Sequence, residues 1–282
     1  MFKDIIGHNE NIQMLKESVQ KDSVIHAYLF DGPDGIGKQL VAKEFAKEIL
    51  ETENLETCPD YIYIDKLENK KDILVEQIRE SIVNNVYSKP VASNKKVYII
   101  NNAQDMNNVA QNSLLKTLEE PPKYIVLILV ANQVDKFLPT IISRVKRIKF
   151  KKLTNNDIDK YIVENNIIVS ENIKEYIDGS LGKLKLMENL SAYEEIEKFV
   201  DKLKTENIVY LLEISKIVDF RNNNYMNYLQ FVLYNNYKKC KNIKLLECIN
   251  TIEIAKQRLK TNGNYDIVSD IAIITMCNCL RR

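Results

Sequence analysis

Long apolar runs are missing from this sequence of 282 residues: none approaches the roughly 18 that a membrane span needs. The opening MFKDIIGHNE has no apolar core of the kind that drives secretion, so a cytoplasmic, membrane-free protein is expected. An excess of either charge is missing as well. Forty basic against 39 acidic residues leave a formal +1, and no global field draws the chain to DNA or to an anionic membrane. Any nucleic-acid contact then has to be local or shared with partners. Cysteine is sparse, at positions 58, 240, 248, 277 and 279 without a CxxC pair. That argues against a structural zinc or a redox dithiol and for reduced, mostly buried thiols. What is present, 45% hydrophobic and 28% charged residues, suits a globular chain of two or three domains.

Strand-like and helix-like segments alternate through the first 150 residues. Ile12, Leu15 and Val19 share a helical face, the short apolar AYLF (27–30) follows, and Val41, Phe45 and Ile49 recur at helical spacing. Further strand runs are YIYI (61–64), KVYII (96–100), YIVLILV (124–130) and VKRIKF (145–150), with helical patterns at 73–84, 106–120 and 138–144. Continuous apolar strands between helices predict an α/β fold with a parallel sheet covered on both faces. After Phe150 the pattern is helical, opening at Thr154 as an N-cap and breaking at GSLG (179–182) and near 201–206. The expected domains are 1–150, a small helical 151–200 and a helical 201–282. Leu211, Leu212, Ile214, Ile217, Leu245 and Leu246 supply the last with more apolar surface than so small a segment readily hides.

GPDGIGKQ (32–39) lies between a strand and a helix, where a phosphate-binding loop sits. Gly32, Gly35 and Gly37 let backbone amides turn toward an anion at the helix N-terminus, and Lys38 can reach terminal phosphates. The next position, which should be the Ser or Thr that ligates magnesium, is Gln39. The carboxylates required after a later strand are replaced by Asn101 and Asn102, with Asp105 several residues farther on. Neutral amides neither substitute for an anionic metal ligand nor act as a base near neutral pH. The expectation is no ATPase activity of the chain's own, no required cofactor, and at most weak binding of ATP, ADP or phosphate by the loop.

HAYLFDGPDGIGK (26–38), VEQIR (75–79), KVYIINNAQDM (96–106), AQNSLLKTLEEPP (110–122) and LPTIISRV (138–145) together resemble the clamp-loader branch of the AAA+ P-loop proteins. The likeness is to the delta-prime subunits of bacterial DNA polymerase III. GSLGK (179–183) and AKQRLKTNGNYDIVSDIAI (255–273) extend it more weakly, being similar to the sensor 2 region of the lid and to the last collar helices. The resemblance implies an ATPase-like domain, a helical lid and an all-α collar. It also implies a ring with delta- and tau/gamma-type subunits that opens the sliding clamp and loads it on primer-template DNA. Arg144 becomes an arginine finger for a neighbouring subunit's ATP, and Asn132 and Lys183 become sensor positions. Many family members carry a four-cysteine zinc module where this chain has Cys58 alone, so no zinc is expected.

Plainer readings stand beside these. Arg144 can be a surface residue at a helix C-terminus, Asn132 a strand-ending turn residue, Lys183 a solvated lysine and His26 a packed one. Glu119 and Glu120 before Pro121 and Pro122 can simply end a helix. An active clamp-loader ATPase or a helicase loader is the alternative function, and intact metal-binding residues would be its mark.

Overall fold

The computed structural model describes residues 2, 5–68, 70–215 and 219–281, the side chains of 214 and 215 excepted. Five strands, β1 (Ala27–Asp31), β2 (Tyr61–Ile64), β3 (Lys96–Ile100), β4 (Ile125–Ala131) and β5 (Lys146–Lys149), pair in parallel in the order β2-β3-β4-β1-β5. Every residue of β1, β3 and β4 is buried, as in strands covered on both faces. Tyr28 and Phe30 pack on one side with Ile12 and Leu15 of α1 (Asn9–Gln20) and Val41 and Phe45 of α2 (Lys38–Leu50). Ala27 and Leu29 face the other side. There they meet Ile78 of α3 (Val75–Ile78), Ile82 in the wider π-type turn Arg79–Val83, Leu114 of α4 (Asn108–Glu119) and Ile141 of α5 (Pro139–Ile142). The edge strand β5 exposes three lysines and arginines around the buried Ile148, which discourages pairing with another sheet.

Local chemistry sets the ends of the elements. The Asn107 side chain accepts the Ala110 N–H at 2.9 Å to start α4, and Pro121 disfavours helical backbone in the residue before it. Thr154 caps α6 (Asn155–Glu164) in a reciprocal pair with Asp157, where the sequence places a cap. Strand positions match the sequence pattern to within about a residue at each end, the usual uncertainty of element boundaries.

Packing divides the chain into two compact units, Met1–Asn165 with Gly179–Gly182, and Asn166–Asp178 with Lys183–Arg282. Against the expected boundaries at 150 and 200, α6 belongs with the sheet and α9 (Leu190–Lys202) runs through position 200. The second unit is helical, with α7 (Glu171–Ile177), most of α8 (Leu181–Leu186), α9, α10 (Ile208–Ser215), α11 (Asn223–Cys240), α12 (Lys244–Lys260) and α13 (Tyr265–Arg281). Tyr228 is its aromatic centre, edge-on to Tyr176 and Tyr193 at 5.0 Å, and its hydroxyl donates to Glu197 at 2.5 Å.

Two expectations change here. Leu211 and Leu245 are buried within this unit's own packing and Leu212 and Leu246 are half-buried, because α10 lies on α9 and α13 while α12 lies between α11 and α13. The Ile214 side chain and Ile217 lie outside the described residues. The apolar side chains left exposed include Val209, Ile243 and Ile254 and, on α13, Ile267, Ile271 and Ile274. Of the cysteines, all free, only Cys248 and Cys277 are buried, and Cys240 is exposed.

Phe30 is fully buried among Tyr28, Phe45 and Phe150, with ring centroids 6.3, 6.5 and 5.1 Å away. Phe30→Ala is expected to lower unfolding free energy by about 3–5 kcal/mol in a denaturant titration, through lost transfer energy and the cavity left behind.

Candidate phosphate-binding site

Because all strands run parallel, the turns after β1 to β4 collect at the carboxyl edge of the sheet, the place where such sheets hold ligands. The loop 32–37 joins β1 to α2 there. At Gly37 φ is +100° while a Cβ would meet nothing within 4 Å, so the backbone conformation alone requires glycine. Gly35 is needed for space: a Cβ would lie 2.3 Å from Ser180 Oγ and 3.0 Å from Gly182 Cα.

Five successive carbonyls of the loop each accept a hydrogen bond. Lys38 Nζ donates to Gly32 at 2.7 Å and to Pro33 at 2.5 Å, and Ser180 Oγ donates to Asp34 at 2.9 Å. The Gly182 N–H donates to Gly35 at 2.7 Å, and His8 Nε2 donates to Ile36 at 2.8 Å. The N–H groups of residues 34–37 donate to no backbone acceptor among the described residues. With its carbonyls engaged, the loop's remaining backbone polarity is that of N–H groups beside the positive end of α2, an arrangement that favours an anion. Burial lowers the Lys38 ammonium from its ordinary pKa, against the charges of Asp34 and Asp31, which raise it. Asp31 in turn takes Arg147 Nε and Nη2 on one carboxylate oxygen, at 2.9 and 2.5 Å.

Gln39, Asn101 and Asn102 are joined through a carboxylate. Gln39 Nε2 donates to the Tyr63 hydroxyl at 2.5 Å, and that hydroxyl donates to Asp65 Oδ2 at 3.0 Å. Asn101 Nδ2 donates to Asp65 Oδ2 at 2.7 Å, Asn102 Nδ2 to Oδ1 at 3.1 Å, and the Lys66 N–H to Oδ1 at 2.8 Å. Burial alone would raise the Asp65 pKa, but donation from Asn101, Asn102, Lys66 and Tyr63 outweighs it and leaves the carboxyl below its ordinary value. The same surroundings, burial first and the Asp65 charge second, push the Tyr63 phenol up. Asp105 lies aside from this network, paired with Lys66 at 2.7 Å.

Asn132 lies at the end of β4 and touches the loop, its Nδ2 donating to Asp34 Oδ2 at 2.5 Å. Arg144 follows α5 and is held on its own unit. Its Nη2 pairs with Glu119 Oε1 at 2.9 Å, and Nη1 donates to the Thr140 carbonyl at 2.9 Å and to Ser143 Oγ at 3.1 Å. Lys183 belongs to the second unit, where its ammonium lies 5.6 Å from the centroid of the Tyr176 ring.

A family model described as DNA polymerase III, delta subunit, matches residues 7–154, which include the loop, the Asp65 network and Arg144. The chain belongs to this family. A Haemophilus influenzae protein named DNA polymerase III subunit tau/gamma is 31% identical over 74% of this chain and 32% of its own length. A Bacillus subtilis protein named DNA polymerase III subunit delta' is 33% identical over 55% of this chain and 51% of its own. The chain thus spans a third to a half of these relatives. A Thermotoga maritima DNA polymerase III gamma subunit-related protein has the same fold, with a TM-score of 0.60 at 17% identity over 96% of this chain and 99% of that one.

Within this delta-subunit family member, the fold brings Gly32, Gly35, Gly37, Lys38 and Asn132 into one site and ties Gln39 to Asn101 and Asn102 beside it. Sequence reasoning missed the joining carboxylate. A signal was present: Asp65 directly follows the YIYI strand as Asn101 follows KVYII, and Ile64 pairs with Ile100, which makes the two positions neighbours. His8 and Ser180, far from the loop in sequence, carried no such signal.

Because the folded Asp65 carboxyl titrates below its ordinary 3.8, its contribution to stability is fully present above that value and is lost as pH falls through the lower, folded one. Asp65→Asn is expected to cost about 1–3 kcal/mol at pH 7, in line with charged hydrogen bonds. The gap from wild type should narrow in denaturant titrations below about pH 4, near the unfolded carboxylate pKa.

Proposed function

We propose that the chain is a delta-prime-type subunit of the bacterial DNA polymerase III clamp loader. In this reading it works in the cytoplasm beside delta- and tau/gamma-type subunits and helps load the sliding clamp onto primer-template DNA without hydrolysing ATP itself. The observation that carries the non-hydrolysing part is the Gln39–Tyr63–Asp65–Asn101/Asn102 network. Where magnesium-assisted hydrolysis needs a hydroxyl and free carboxylates, this site has the amides of Asn101 and Asn102 committed to Asp65 and that of Gln39 committed to the Tyr63 hydroxyl. The loop keeps the capacity to hold a phosphate, or ATP or ADP weakly, and zinc has no role. Assembly through the helical unit is supported by Ile267, Ile271 and Ile274, exposed by 59, 44 and 37% at i, i+4 and i+7, one stripe along α13.

Arg144 is the arginine finger in this proposal, completing a neighbouring subunit's site. Its pair with Glu119 positions the guanidinium at low cost: both side chains are substantially exposed, at 34 and 51%, so breaking the pair costs about 0–1 kcal/mol. Asn132 and Lys183 are proposed as remnants of the sensors. An active ATPase is the second reading, and what favours it is Asp65, a carboxylate held ionised near the start of α2.

A single-turnover assay on the purified chain is expected to release no phosphate above background. Magnesium-dependent release that is abolished by Asp65→Asn would establish the second reading instead. In reconstituted loaders, Arg144→Ala should lower steady-state ATP turnover and clamp loading only in part, since other subunits hold their own sites. Arg144→Lys should rescue little, because a point charge lacks the planar fork. Unchanged rates in fully assembled Arg144→Ala complexes would leave Arg144 a surface arginine.

A further inference from the structure

Between Asp219 and Glu247 the sequence has no acidic residue, although 39 of its 282 residues are acidic, while Arg221, Lys238, Lys239, Lys241 and Lys244 fall in that interval. The fold gathers three of these lysines at one place, the last turn of α11 and its cap. Lys238, Lys239 and Lys241 are exposed there, and Tyr234 is 44% exposed one turn earlier. Tyr234 and Tyr237 stack, with ring centroids 6.2 Å apart and planes 27° from parallel. Lys238 Nζ lies 4.7 Å from the Tyr234 centroid and Lys241 Nζ 5.8 Å from that of Tyr237.

A plainer account is that lysines at a helix C-terminus offset its dipole and cap its last carbonyls. Part of the capping is done by backbone: Lys241 is in the left-handed conformation at φ 53°, and its N–H donates to the Tyr237 carbonyl at 2.7 Å. No carboxylate lies within ion-pair distance of Lys238, Lys239 or Lys241 among the described residues. Glu247, at the start of α12, takes the Cys279 thiol, and Glu253 faces Lys256. Ammonium groups without a carboxylate partner, those of Lys238 and Lys241 beside a pair of stacked rings and that of Lys239 exposed on the same turn, combine the two elements that hold single-stranded nucleic acid, cations for the phosphodiester backbone and flat faces for unpaired bases.

We propose that the C-terminal end of α11, with Tyr234 and Tyr237 as stacking platform and Lys238, Lys239 and Lys241 as phosphate contacts, is a binding surface for single-stranded DNA. It lies wholly in the helical unit and does not depend on nucleotide at the glycine loop. Sequence-independent binding is expected, because any base offers a ring face.

The test is fluorescence anisotropy of the full chain with a labelled oligothymidylate of about 20 nucleotides, enough to cover a site of the usual 4–16. With three phosphate contacts, the logarithm of affinity should fall with that of salt at a slope near −2, roughly 15-fold between 50 and 200 mM. Changing Lys238, Lys239 and Lys241 together to Gln should remove that slope and weaken binding at least about tenfold. Changing Tyr234 and Tyr237 together to Ala should weaken binding by a similar factor, about what base stacking contributes, while Tyr234→Phe with Tyr237→Phe should bind as wild type. Wild-type affinity in the lysine variant would overturn the proposal. So would tight binding by the Tyr→Ala variant, or equal displacement of the oligonucleotide by polyglutamate of matched charge, which would assign the patch to an acidic peptide. Helical circular dichroism checks each variant, and if the Tyr→Ala protein is unfolded, the lysine variant, altered only at exposed side chains, decides.

Discussion

The glycine loop 32–37 lies outside helix and strand, so its carbonyls must be satisfied by something other than regular backbone pairing, since an unpaired buried carbonyl is costly. In this chain that requirement reaches far from the loop. The acceptors at 32–36 are met by Lys38 from the following helix, His8 from the segment before α1, and Ser180 and Gly182 from a stretch almost 150 residues later. The glycines at 35 and 182 are two halves of one contact: a Cβ on Gly182 would stand 2.4 Å from the Gly35 Cα. This closeness explains why Gly179–Gly182 packs with the sheet although the residues on either side belong to the helical unit.

Beside the loop, one carboxylate organises the donors around it, the part that a divalent cation plays among oxygen ligands in magnesium-dependent P-loop sites. A magnesium ion draws oxygen ligands inward, whereas Asp65 draws N–H and O–H donors. Amides at 101 and 102, and the Tyr63 hydroxyl that receives Gln39, therefore suit Asp65 for the same reason that amides do not suit a metal. Asp65 is stabilised as an anion by neutral donors, the cheapest way to keep a half-buried charge. The edge of the sheet is thereby cross-linked through side chains from α2, β2 and the turn after β3.

Charge is sorted differently around the glycine loop and at the end of α11. Around the loop, cations are matched locally: Arg147 with Asp31, Lys66 with Asp105 and Arg144 with Glu119. At the end of α11, Lys238 and Lys241 have tyrosine rings for neighbours instead of carboxylates. A net charge of +1 conceals this asymmetry, which is why total charge says little about where a polyanion can bind.

Strand periodicity, glycine spacing and helix caps are local properties, and so the sequence by itself determined the parallel sheet, the position of the glycine loop between β1 and α2, the cap of α6 at Thr154 and the amide residues at 39, 101 and 102. The family followed from short blocks at fixed spacing. Only the tertiary structure decided that Asp65 joins Gln39 to Asn101 and Asn102, that Ser180 and Gly182 close on the loop, and that Glu119 holds Arg144. It also decided that Leu211 and Leu245 are core residues and that Ile267, Ile271 and Ile274 of α13 are exposed instead. Apolar periodicity says that a helix has a buried face, but which neighbour covers it depends on how helices distant in sequence pack. Hydrogen-bond partners are likewise chosen by distance in space, and a pattern read along the chain carries no such distance.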